Sequence, residues 1–162
     1  MSSFLYTFLL IELLLVSYID VRTKKISNLW SLAHIVLFLG LMFYTQDYPT
    51  ASHFIFPLGM IVVGFVLFVF HIMGAGDSKY LASIFLLIPT PFHMLFMEKL
   101  LTVTIFVGTL LLIMRFVKSA AKIKAYLATF YFKALKKELH SRFSYAPVIL
   151  VAWVLFGMTL WQ

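Results

Sequence analysis

The chain contains no cysteine, and only 12% of its residues are charged. The first absence excludes disulfides, thiol nucleophiles and cysteine-ligated metals. The second excludes an ordinary soluble fold, since soluble domains carry about 25% charged residues. Acids are scarcest, with six Asp and Glu in 162 residues. Serine-hydrolase and nucleotide-binding patterns are also missing. His34, His53, His71, His93 and His140 are scattered without metal-ligand spacing, so no metal or other cofactor is expected.

What is present is apolar: 63% of the residues are hydrophobic and the mean hydropathy is +1.02. A chain this size has no interior able to hide that much apolar surface from water. The expected class is an all-α, polytopic membrane protein, one domain over residues 1–162. A span needs about 20 apolar residues. Six runs approach that length: Phe4–Ile19, Leu29–Thr45, Phe54–Ile72, Tyr80–Met97, Leu100–Val117 and Ala146–Trp161. The fourth contains Ile88-Pro89-Thr90-Pro91, which kinks or ends a helix. No basic stretch or small-residue cleavage site marks the first run as a removed signal peptide, so it is expected to be retained.

The net charge of +7 would point to nucleic acid in a soluble protein, but its distribution points to membrane topology. The first, third and fifth loops hold three, one and eight of the 13 basic residues, and the second holds none. Cytoplasmic loops are rich in Lys and Arg. Both termini are therefore expected outside the cytoplasm, with the odd-numbered loops facing it. Within the fifth loop, Ile123, Leu127, Phe130 and Ala134 follow helical spacing among lysines. This pattern predicts an amphipathic helix lying against anionic lipid. No nucleic-acid partner is expected.

Charges inside apolar runs are costly, and so informative. Glu12 lies within the first run. Asp20 ends that run, eight residues on and near the same helical face. Asp77 follows Gly74-Ala75-Gly76 at the start of the fourth run. The topology places Asp20 and Asp77 on one membrane face. Two carboxylates close together share a proton, which suits aspartic-protease chemistry. Gly74 and Gly76 would let an extended substrate backbone approach Asp77. Each acid also has a plainer reading. Asp77 would serve as a helix N-cap, Asp20 would be solvated beside Arg22 and Lys24, and Glu12 would pair with a polar group on another helix. A non-enzymatic membrane subunit or small transporter would also place acids at membrane depth.

Gly74-Ala75-Gly76-Asp77-Ser78-Lys79 resembles the GxGD-x-K signature of the prepilin peptidases, membrane aspartic proteases that process type IV pilins. Asp20 through Ile26-Ser27-Asn28 resembles that family's first motif, with Ser27 in place of its usual proline. Tyr145-Ala146-Pro147 resembles its tyrosine-proline lead-in to the last helix. The resemblance implies catalytic roles for Asp20 and Asp77 and an electrostatic or substrate-positioning role for Lys79. It further implies a bacterial inner-membrane enzyme that removes the basic leader of a prepilin or pseudopilin. The chain is similar to the short form, without the cysteine-rich region, so methyltransferase activity is not expected. A pilin leader is itself basic, so the basic fifth loop is assigned to lipid and topology. Presenilin-type proteases share the glycine-aspartate motif, but Tyr145-Ala146-Pro147-Val148 matches their proline-alanine-leucine element poorly.

Overall fold

The computed structural model describes residues 2–46, 48–69, 73–128 and 144–160. Six α-helices occur among them: α1 (Ser3–Thr23), α2 (Asn28–Thr45), α3 (Ile55–Val69), α4 (Ala75–Leu87), α5 (His93–Ala128) and α6 (Ala146–Leu160). Short 3-10 turns, Ala51–Phe54 and Thr90–Phe92, precede α3 and α5. No strand occurs among the described residues.

Four segments are long and apolar enough to cross a bilayer: Ser3–Thr23, Asn28–Thr45, Ala51–Val69 and Thr90–Leu111. Two of the six expected spans therefore fall short of that length. The fourth run, Tyr80–Met97, does not form one helix. A residue before proline is pushed out of the helical region, and Ile88 is extended at φ −79°, ψ 131°. Thus α4 stops at Leu87, after 13 residues, and the far half of the run begins α5. The sixth, α6, has 15 residues. The long α5 runs unbroken past Val117, through Ile123 and Leu127. The expected interfacial helix is thus continuous with the fifth span as far as Ala128, and Phe130 and Ala134 lie outside the described residues.

The Pro89 break exposes backbone carbonyls at the end of α4, where histidines satisfy them. The Nε2 of His53 lies 2.8 Å from the Leu86 carbonyl, and that of His93 lies 2.7 Å from the Ile88 carbonyl. Unpaired carbonyls at membrane depth are costly, so this end of α4 is fastened by side chains.

The helices pack as two groups of three. In one, α1 and α5 both lie against α6. In the other, α2 and α3 both lie against α4. In the first group the Tyr6 and Trp153 rings stack with centroids 5.3 Å apart, and each side chain donates a hydrogen bond to the other's backbone carbonyl. In the second, Gly64 of α3 lies directly against the Ser78 side chain of α4, a close approach that only a bare Cα permits. Large apolar side chains cover the outside, among them Leu32, Val36, Ile61, Phe65, Ile105 and Phe106. This surface fits lipid and does not fit water.

The Gly64 contact gives a direct test of the packing. Gly64→Ala should lower stability by about 1–3 kcal/mol through overpacking, read as the melting temperature in detergent. The cost should shrink in a Ser78→Gly background, which removes the atoms the new methyl would meet.

Candidate active site

α1 runs on to Thr23, four residues beyond the expected span, so Asp20 belongs to a helix and not to a loop. The helix ends where Lys24 takes a left-handed conformation, φ 55°, and its N–H donates to the Asp20 carbonyl at 2.7 Å. Asp20 is only 2% exposed, so the solvated reading of it fails. Its Oδ2 accepts the N–H of Ala146, the first residue of α6, at 3.1 Å. Ser144 Oγ donates to the Asp20 carbonyl at 3.1 Å. A helix N-terminus carries partial positive charge and free N–H groups, so α6 supplies what a buried carboxylate needs.

Asp77 occupies the third position of α4, not its N-cap; the N-cap is Gly74. The Asp77 Oδ2 accepts the Gly74 N–H at 3.1 Å. This is one arm of a capping box, and glycine has no side chain to complete the other. Asp77 is 8% exposed and lies outside the four candidate spans. Burial pushes its carboxyl up from 3.8 to about 6, the Gly74 N–H opposes the shift, and the charge of nearby Asp20 raises it further. The two acids therefore share one electrostatic site, each at a different helix N-terminus.

Short contacts close this site. A methyl at Gly76 would stand 2.6 Å from the Ile26 carbonyl, so the bare face of Gly76 is filled by the turn between α1 and α2. Of the two glycines expected to admit substrate, Gly76 is therefore occupied by the chain itself, while Gly74 is exposed. Ser27 in the same turn is the N-cap of α2 and accepts the Leu29 N–H at 3.3 Å. A serine cap thus stabilises the position where the first motif usually carries proline. Tyr145 brings in α5, its hydroxyl lying 2.8 Å from Thr104 Oγ1. Lys79 is on the exposed face of α4's first turn, while Asp77, Ser78 and Tyr80 are buried. His71 lies outside the described residues.

Glu12 pairs with polar groups on two other helices, as the plainer reading of it expected. Its Oε2 lies 2.8 Å from His34 Nε2, and its Oε1 accepts the Tyr80 hydroxyl at 3.3 Å. Sequence reasoning missed His34, which was dismissed among scattered histidines. The available signal was a histidine in an apolar run that also had to accommodate a buried glutamate. It also missed Ser144 and Ala146 as partners of Asp20, although Tyr145-Ala146-Pro147 marked the place.

The pH dependence of stability tests the Asp77 environment. A carboxyl raised on folding keeps a proton that the unfolded chain has released, so stability falls as pH rises between the two values. The melting temperature in detergent should therefore drop between about pH 4 and 6 by more in the wild-type protein than in Asp77→Asn. Equal slopes for the two proteins would contradict the raised value.

Neither the curated proteins nor the solved structures include a match to this chain. A family model does match, over residues 7–161, which take in Asp20, Asp77 and the lead-in to α6. On that match, covering nearly its whole length, the chain belongs to the type IV leader peptidase family.

Proposed function

We propose that this protein is a membrane-embedded aspartic endopeptidase that removes the basic leader from type IV pilin-like precursors. The observation that carries this reading is the convergence of Asp20 and Asp77. They come from helices in different groups, and the charge of one raises the other's carboxyl. Two such acids share a proton. The ionised member takes a proton from water, which attacks the scissile carbonyl. The protonated member polarises that carbonyl and then protonates the leaving amine. The pair titrates as a unit, so the roles belong to the dyad.

The charge pattern supports the remainder of the reading. Basic residues concentrated in the odd-numbered loops favour a dyad facing the cytoplasm of a bacterial inner membrane, with both termini on the other side. A pilin precursor suits this orientation, because its basic leader stays in the cytoplasm and its apolar helix enters the bilayer. Exposed Gly74, next to Asp77, gives the extended backbone at that junction room to approach. Lys79 on the outer face of the same turn is assigned to substrate positioning. The basic residues of the fifth loop, from Arg115 to Arg142, are assigned to anionic lipid and topology.

Co-expression with a prepilin tests the proposal. Asp20→Asn and Asp77→Asn should each insert normally yet reduce cleavage by at least about a hundredfold, read as a gel shift. Mass spectrometry should place the wild-type cut between leader and apolar helix. Full processing by either variant would contradict the dyad.

A further inference from the structure

Asp20 and Asp77 sit on different helix groups, so their separation depends on how α1 is held to α4. The two backbones do not pack extensively against each other. A buried set of polar side chains crosses between them. Glu12 of α1 contacts His34 of α2 and Tyr80 of α4, and His34 Nδ1 lies 2.8 Å from Ser83 Oγ of α4. The His34 and Tyr80 rings stack at 5.3 Å. Glu12, His34, Tyr80 and Ser83 are all buried.

Hydrogen counting fixes the character of this set. Ser83 Oγ donates its only hydrogen to the Tyr80 carbonyl at 2.7 Å, so it must accept from His34 Nδ1. The Tyr80 hydroxyl donates to Glu12 Oε1. One hydrogen then lies between His34 Nε2 and Glu12 Oε2, whichever atom holds it. The pair is uncharged overall, as a group at membrane depth should be. Register links the set to the acids. Glu12 is about two turns from Asp20 on α1, and Tyr80 is about one turn from Asp77 on α4.

We propose that Glu12, His34 and Tyr80 are positioning residues, a neutral polar clamp that sets the approach of the Asp20-bearing helix to the Asp77-bearing helix. The catalytic part of this inference rests on the proposed peptidase reading; the geometric part does not. The clamp needs the donor and acceptor pattern of Glu12, not its acidity. A glutamine supplies that pattern, its amide N–H donating to His34 Nε2 and its oxygen accepting from Tyr80. A leucine is more apolar and inserts at least as well, but leaves both partners unpaired.

Two readouts test the clamp. In prepilin cleavage, Glu12→Leu should lower kcat by about ten- to a hundredfold with KM little changed, since small misplacements of reacting groups are costly. Glu12→Gln should stay close to wild type with an unchanged pH profile, and Tyr80→Phe should fall between. The second readout needs no activity. Because the chain has no cysteine, the pair Asp20→Cys with Asp77→Cys can be bridged by bifunctional thiol reagents of graded length. Adding Glu12→Leu should shift bridging to other lengths, and adding Glu12→Gln should not. Wild-type kcat and an unchanged bridging pattern in Glu12→Leu would overturn the clamp. So would a Glu12→Gln protein as inactive as Glu12→Leu, which would give the carboxylic acid itself a role. If the wild-type protein cleaved no prepilin while Glu12→Leu still shifted the bridging, the peptidase reading would fail and the clamp would stand.

Discussion

Burying two carboxylates that feel each other's charge is costly, and the layout of this chain answers that cost. Each acid needs hydrogen-bond donors where water is scarce, and each finds them at a helix N-terminus. Asp20 ends α1 but is held by the first N–H of α6, more than a hundred residues away in sequence. Asp77 stays within its own element and accepts from the N-cap of α4. Partial positive charge at both helix ends offsets some of the desolvation. Burial remains the larger effect: it lifts the Asp77 carboxyl to about 6 against the opposing Gly74 N–H, and the Asp20 charge adds a smaller push in the same direction. A site that holds a proton near neutral pH is suited to acid–base work on an amide bond.

The same layout makes the site depend on packing far from it. One acid belongs to the α1–α5–α6 group and the other to α2–α3–α4. Contacts between the groups occur at several heights along α4. Gly76 meets the Ile26 carbonyl beside the acids, Tyr80 and Ser83 join the Glu12–His34 set, and Phe85 meets Phe96 of α5 at 5.1 Å. The histidines that close the Pro89 break lie at the far end.

Much of this was legible in the sequence because charge is so rare in it. Asp20, Asp77 and Glu12 stood out as acids bordering or inside apolar runs, and the glycines before Asp77 marked a helix start. What escaped the sequence depended on tertiary context. Nothing local indicates that α1 continues through Asp20, because the N–H that makes its burial tolerable comes from Ala146. The break in the fourth run, by contrast, was legible: Ile88-Pro89-Thr90-Pro91 marked it, and backbone sterics end α4 at Leu87. His34 looked isolated because its partners, Glu12 and Ser83, are 22 and 49 residues away. Gly76 was read as room for substrate, and the chain's own Ile26 carbonyl takes that room.

The central claim is that Asp20 and Asp77 form one site, and the titration of Asp77 in the presence and absence of the Asp20 charge tests it most directly. The chain has only three aspartates, Asp20, Asp47 and Asp77, so carbon-13 carboxyl signals are assignable by substitution. In the wild-type protein the Asp77 carboxyl should titrate at about 6, and in Asp20→Asn it should titrate at lower pH. An Asp77 titration that does not move when the Asp20 charge is removed would contradict the account.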